Sequence, residues 1–139
     1  MDLVKELDKD IISNLVVPNY KEVIAYGNLP LMNSNYCLLG KSNKCYKDCT
    51  RKCMNNNSYF LKDRLGFLFR INPDNIDTVT TIYNSKTTSI SLEGLNCDYA
   101  RIDILDETVD EINLIISKVL TKQKLEGNQY TNGNLNKNV

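Results

Sequence analysis

The sequence predicts an α/β protein, because patterns typical of strands and of helices follow one another along the chain. Short β-branched and aromatic runs are typical of strands, and they lie at residues 22–27, 80–84 and 99–105. The clearest helical pattern covers residues 108–122, where apolar residues recur every three or four positions. Thr108 and Glu111 at its start have the spacing of a capping box.

A long irregular segment separates the first predicted strand from a predicted β-hairpin. This segment, residues 28–58, holds four of the five cysteines. The hairpin is indicated by two short apolar runs, 59–62 and 67–71, around a turn that contains Gly66. A further helix is predicted over residues 2–14, where leucine and isoleucine recur every four positions.

The chain is predicted to form one domain over residues 1–125 and a flexible tail over residues 126–139. The tail is rich in Asn and Gly and has few apolar side chains to bury. Elsewhere the composition, with 42% hydrophobic and 24% charged residues, suits a globular domain with its own core.

Charge and hydropathy exclude several classes of protein. The 17 basic and 17 acidic residues cancel, so no overall field draws the chain to nucleic acid or to a membrane. No segment approaches the ~18 apolar residues of a membrane span, and the mixed-charge N-terminus lacks the apolar run of a signal peptide. These observations predict a cytoplasmic protein with no membrane partner. In a reducing compartment, clustered thiols more often bind metal or do redox chemistry than form disulfides.

The cysteines are the most informative residues, and the absence of histidine narrows what they do. Without imidazole there is no Ser-His-Asp or Cys-His catalytic set and no histidine-dependent zinc site. Cys45, Cys49 and Cys53 recur every four positions, so on a helix they would share one face. Residues 41–70 carry eight Lys or Arg against two Asp, a charge that lowers thiol pKa values. The segment indicates a metal or cluster site, with free thiols in a flexible loop as the alternative.

Three other features have both a structural and a functional interpretation. Cys97 precedes a predicted strand and is expected to be a buried structural thiol. Asp63 and Arg64 are expected to be turn residues that form a local ion pair. Arg101 and Asp103 alternate with apolar residues on the last predicted strand, so they are either a charged site inside a barrel or part of a solvated strand face.

With these motifs in hand, the sequence resembles the collagenase-like peptidase family, number thirty-two among peptidases of unknown catalytic type. The resemblance runs in order over nearly the whole chain, and it is carried by residues 26–32, 36–40, 49–53, 59–66, 81–85, 100–103 and 130–134. It implies an α/β fold that is the C-terminal portion of a TIM-like (β/α) barrel, with an inserted cysteine loop and β-hairpin.

The resemblance also implies a cofactor. Members are named peptidases, and several resemble enzymes that hydroxylate RNA bases or ubiquinone precursors with a four-cysteine [4Fe–4S] cluster. Cys37, Cys49 and Cys53 match three ligand positions, whereas the fourth falls near Thr78, which replaces a thiolate poorly. Cys45, in the same loop, is then the expected fourth ligand. Zinc on the same four cysteines is the alternative, no cofactor is the third possibility, and no catalytic residue is assigned.

A complete barrel needs about 200–250 residues, so the chain would supply only its C-terminal part. Exposed strand edges then predict self-association or a partner that provides the missing barrel half. Three hypotheses follow. The chain is an enzyme of this family, a hydrolase by name, acting on a peptide or on RNA; or a non-catalytic fragment that needs a partner chain; or a zinc-stabilised binding module.

Overall fold

The chain folds into two units, and each is built on one four-stranded sheet. Unit 1 comprises residues 1–28 and 86–139, and unit 2 comprises residues 29–85. The computed structural model describes residues 8–40, 44–45, 49, 51, 53, 58–74 and 79–133. Within them the elements are, in chain order, α1 (Lys9–Asn14), β1 (Glu22–Gly27), β2 (Pro30–Ser34), β3 (Tyr59–Lys62), β4 (Leu68–Asp74), β5 (Val79–Tyr83), β6 (Thr87–Ser89), β7 (Tyr99–Ile102), α2 (Val109–Leu120) and β8 (Tyr130–Thr131).

Unit 2 is inserted into the chain of unit 1 between β1 and β6. Within each unit, a hydrogen bond joins the two chain segments that meet at the insertion. In unit 1, the Thr87 hydroxyl donates to the Asn28 side-chain oxygen at 2.7 Å. In unit 2, the backbone N–H of Asn84 donates to the carbonyl of Leu29 at 2.9 Å. The two ends of each unit therefore lie side by side at the insertion.

The sheet of unit 1 has the strand order β7-β1-β6-β8. β1 runs parallel to β7 and antiparallel to β6, and β6 runs parallel to β8. β1 is an unbroken apolar run, as expected of a strand that is covered on both faces. Its residues Val23, Ile24, Ala25 and Tyr26 are at most 4% exposed. The core of unit 1 therefore forms around β1.

The two described helices belong to unit 1, and each begins at a side-chain cap. The Asp8 carboxylate accepts a hydrogen bond from the first turn of α1 at 2.9 Å. α2 begins with the predicted capping box, in which Thr108 and Glu111 each accept a bond from the other's backbone N–H. The bonds from Thr108 lower the pKa of the Glu111 carboxyl. One side chain of each helix is buried, Ile12 in α1 and Ile115 in α2.

Unit 2 contains the predicted hairpin within an antiparallel sheet of order β2-β5-β4-β3. Strands β3 and β4 pair from Tyr59 with Ile71 to Lys62 with Leu68, which confirms the hairpin. Ile71 also lies opposite Ile82 of β5, and both side chains are buried. The inner face of this sheet is therefore set by isoleucines on its two central strands.

The prediction of a TIM-like (β/α) barrel portion is wrong. In the part of the chain that the structure describes, both sheets are open, most neighbouring strands are antiparallel and helices do not alternate with strands. A (β/α) barrel needs parallel neighbours that are joined by helical crossovers. The protein is instead small and mostly β, with two sheets.

The sequence predicts the individual strands and helices better than it predicts their arrangement in the sheets. β1, β5, β7 and α2 lie within a few residues of the predicted elements, and the described part of the predicted first helix contains α1. The sequence does not predict β2, which begins at Pro30, or β6, which is a short polar run. β8 lies inside the predicted tail, at residues 130–131. The domain boundary at residue 125 stays a prediction.

Candidate thiol site

The first two cysteines of the loop in unit 2 are arranged around a tight turn at Gly40. The N–H of Gly40 donates to the Cys37 carbonyl at 3.1 Å, and the N–H of Cys45 donates to the Gly40 carbonyl at 2.8 Å. A Cβ atom added to Gly40 would lie 3.7 Å from both the Cys37 sulfur and the Cys45 carbonyl oxygen. The turn therefore brings the backbone of Cys45 close to the exposed Cys37 side chain.

The other two cysteines differ in their burial. Cys49 is exposed, whereas Cys53 is only 8% exposed. Burial is the largest cause of the raised pKa of the Cys53 thiol, and the Cys49 thiol is the next. Cys37 and Cys45 raise that pKa further. The charges of all three other thiols therefore act on Cys53.

The donor set suits a thiolate metal site, but the arrangement is not that of ligands around one ion. Four thiolates are the ligands of structural zinc and of iron–sulfur clusters. Among the described residues, which include all four cysteines, no three thiol or carboxylate groups are positioned to hold one metal ion. Thr78 lies outside the described residues. A metal or cluster shared by Cys37, Cys45, Cys49 and Cys53 therefore stays a prediction.

Cys97 belongs to unit 1 and is half-buried. Burial raises the pKa of its thiol, and the neighbouring Asp98 carboxylate raises it further. Lys21 and Lys122 act in the opposite direction. A thiol with a raised pKa is mostly protonated at neutral pH, so Cys97 is less reactive than a free cysteine. This agrees with a structural role.

Arg101 and Asp103 form an ion-pair network on a partly exposed face of unit 1. The Arg101 guanidinium lies 2.9 Å from the Glu22 carboxylate and 3.1 Å from that of Asp103. The Arg101 side chain is 39% exposed, and the Glu22 and Asp103 side chains are each 43% exposed. Ion pairs at such positions contribute about 0–1 kcal/mol to stability. The geometry corresponds to the solvated strand face and not to a charged barrel interior.

The Asp63 side chain has a turn-forming role. Its carboxylate oxygen Oδ1 accepts hydrogen bonds from the backbone N–H groups of Leu65 at 2.8 Å and Phe67 at 2.9 Å. An aspartate that bonds to the following backbone is a common way of closing a turn. The prediction that Asp63 is a turn residue is therefore confirmed, whereas the predicted ion pair with Arg64 is not among the salt bridges of the described residues.

A part-buried hydrogen bond between Tyr26 and Glu107 is absent from the sequence predictions. The Tyr26 hydroxyl donates to Glu107 Oε1 at 2.9 Å, and Glu107 Oε2 accepts from the N–H of Leu105 at 2.7 Å. Burial, and then the bond to Glu107, raise the pKa of the Tyr26 hydroxyl. The two residues are 81 positions apart, so no local pattern in the sequence links them.

Tyr26→Phe is expected to reduce the free energy of unfolding by about 1.5–3 kcal/mol at neutral pH, because a bond to a charged acceptor is lost. Since the folded-state pKa is raised, the contribution of Tyr26 is complete below the unfolded pKa of about 10. It declines at higher pH, where the unfolded hydroxyl ionises and the folded one does not. Urea unfolding should therefore show that Tyr26→Phe loses less stability than the wild type does between neutral pH and strongly alkaline pH.

Tyr20→Phe is the matched control, because the Tyr20 side chain is 74% exposed. It should leave both the stability and its alkaline dependence close to those of the wild type. Equal behaviour of the two variants would show that the bond to Glu107 does not stabilise unit 1.

Comparison with known proteins identifies no relative of this chain. No family, no curated protein and no solved structure matches the chain. The resemblance to collagenase-like peptidases, with the proteolysis or hydroxylation that it implies, stays an expectation. None of the described helices is both long enough and apolar enough to span a membrane.

Proposed function

We propose that this chain is a thiolate metal-binding protein whose ligands are Cys37, Cys45, Cys49 and Cys53 in unit 2. The observation that carries the proposal is the concentration of four free thiols in one segment of unit 2, where the turn at Gly40 brings the Cys37 side chain close to Cys45. A cation that binds among these thiols would stabilise their deprotonated forms and so offset the raised pKa of the Cys53 thiol.

Metal binding would also add to the stability of unit 2. Metal sites are rarely complete before the metal arrives, and the binding free energy then contributes to folding. The four thiols range from exposed Cys37 to buried Cys53, so they would come together only when they share one ion. A unit that spans only residues 29–85 also benefits from such a crosslink, since small cores alone supply little stability.

The cellular setting proposed for this chemistry is the reducing cytoplasm. All five cysteines are free thiols in the structure. Free, clustered thiols persist where disulfides are kept reduced. Zn²⁺ and a [4Fe–4S] cluster both accept four thiolates, so either satisfies this ligand set.

Metal content is the first test. Protein purified without oxygen should contain zinc, and be colourless, or contain iron and sulfide, and be brown. Cys49→Ser should reduce bound metal to background, because a serine hydroxyl is a poor ligand for these metals. The Cys49 side chain is exposed, so the substitution itself removes no core packing, and a loss of stability in this variant would come from the lost metal.

Cys97→Ser is the matched control, since Cys97 belongs to unit 1. It should keep the full metal content. Wild-type protein that stays metal-free after incubation with Zn²⁺, or with iron and sulfide, would contradict the proposal. So would metal binding that survives in Cys49→Ser and is lost in Cys97→Ser.

A further inference from the structure

The hairpin of unit 2 presents an apolar surface to solvent. Five of its large side chains are between 44% and 73% exposed. We call them the hairpin patch: Phe60, Leu61, Leu65, Phe67 and Leu68. Phe60 and Leu68 lie on one face of the hairpin and Leu61 on the other, with Leu65 and Phe67 at the turn. Single exposed apolar residues are ordinary, but several around one hairpin tip indicate a surface that binds something.

The tip of this hairpin is held in one conformation. The Asp63 carboxylate accepts from the N–H groups of Leu65 and Phe67, and the Asp63 N–H donates to the Phe67 carbonyl at 3.0 Å. Gly66 adopts φ +91°, which few other residues tolerate, and its N–H donates to the Asp63 carbonyl at 3.2 Å. The turn therefore presents Leu65, 73% exposed, without a further cost in conformational entropy.

The charges around the tip are mainly positive. Lys62 and Arg64 are exposed, whereas the nearest acid, Asp63, has its carboxylate bonded inside the turn. Residues 29–85 contain 8 Lys or Arg and 4 Asp or Glu, a formal charge of 8 − 4 = +4. The remaining residues, assigned to unit 1, contain 9 Lys or Arg and 13 Asp or Glu, a formal charge of 9 − 13 = −4. The zero net charge of the chain thus conceals a positive unit 2.

We propose that the hairpin patch docks on an anionic lipid surface. Leu65 and Phe67 enter the boundary between headgroups and acyl chains, while Lys62 and Arg64 contact the lipid phosphates and carboxylates. Apolar side chains combined with Lys and Arg are the usual means by which a protein lies on a membrane without spanning it. The expectation of no membrane partner rested on the zero net charge and on the lack of a segment that spans or enters a membrane. The charge of unit 2 removes the first reason, and docking on a membrane surface needs no spanning segment.

A nucleic acid and a second copy of the chain suit the patch less well. Bases stack on aromatic rings, but three of the five patch residues are leucines, which a nucleic acid would leave in water. A second copy that paired through the same surface would bring Lys62 and Arg64 close to their own symmetry mates, and like charges repel. A lipid bilayer satisfies both the leucines and the positive charges.

The test is sedimentation of the full-length protein with vesicles. Protein should sediment with vesicles of phosphatidylcholine mixed with phosphatidylserine, and much less with phosphatidylcholine alone. Leu65→Asp should weaken binding by about tenfold or more, because it places a negative charge and removes an apolar side chain at the tip. Val109→Asp is the matched control, since Val109 is also 73% exposed but belongs to unit 1, and it should bind as the wild type does.

A second variant tests the electrostatic half of the proposal. Lys62→Gln combined with Arg64→Gln should reduce binding to the mixed vesicles and its dependence on salt, while Leu65 remains in place. The proposal is overturned if the wild type does not sediment with either vesicle. It is also overturned if Leu65→Asp and Val109→Asp bind alike, or if Leu65→Asp instead abolishes binding to single-stranded RNA or dimerisation measured by sedimentation velocity.

Discussion

Gly27→Ala is expected to destabilise unit 1 by about 3 kcal/mol or more, because it combines backbone strain with a steric clash. Gly27 ends β1 with φ +146°, a conformation that residues with a Cβ atom rarely adopt. A Cβ atom there would lie 2.7 Å from the Cβ of Asp103 and 3.2 Å from its carbonyl oxygen. Both contacts involve atoms close to the backbone, so relief requires that the strand ends separate. Urea unfolding followed by circular dichroism measures the loss.

Gly94→Ala is the matched control, because it introduces backbone strain at a positive φ without a clash against another part of the backbone. Gly94 also has a positive φ, +67°, but an added Cβ would meet only the end of the flexible Lys9 side chain at 3.2 Å. That lysine can move away, so we expect a loss of only about 1 kcal/mol, from the backbone alone. If Gly27→Ala were no more destabilising than Gly94→Ala, the close approach of Gly27 to Asp103 would not exist in solution.

Ile24→Ala is expected to cost about 2–5 kcal/mol of unfolding free energy, the range found when a large buried side chain is truncated. Ile24 is 1% exposed and lies on β1, between β7 and β6. Its neighbours Val23 and Ala25 are also buried, so the strand has little freedom to collapse into the space that Ile24 leaves. The same denaturation experiment measures the effect.

Ile116→Ala removes the same atoms from a position that is 40% exposed on α2. The change also raises helix propensity, so we expect a loss below about 1 kcal/mol. Similar losses for Ile24→Ala and Ile116→Ala would show that β1 is not the centre of the core of unit 1.

The secondary structure that the sequence predicts correctly is the part that depends on neighbouring residues. The capping box at Thr108 and Glu111, the continuous apolar run of β1 and the turn at Asp63 all act within a few positions. The arrangement of the sheets depends on distant partners instead. β6 is Thr87–Ser89, whose side chains carry no apolar alternation, yet it joins β1 to β8. The barrel expectation failed because it required parallel neighbours that this polar strand interrupts.

At the candidate site, too, the sequence predicts what neighbouring residues determine and misses what depends on distant residues. Spacing alone identifies the cysteine-rich segment, but not that Cys53 is the buried thiol on which the other three act. The bond between Tyr26 and Glu107 joins positions 81 residues apart, and nothing in either neighbourhood marks it. The positive charge of unit 2 was visible in residues 41–70 of the sequence. Its significance appears only when most of the acidic residues are seen to belong to the other unit.

The insertion of unit 2 between Asn28 and Lys86 sets the order in which the protein becomes complete during its synthesis. β1 leaves the ribosome first, but its neighbours β6 and β7 lie on the far side of the insertion, so it stays unpaired while all of unit 2 emerges. Unit 2 has its whole sheet within one continuous segment and is free to fold first. Shortening the insertion would therefore shorten the time during which the most apolar strand of the chain is exposed to aggregation.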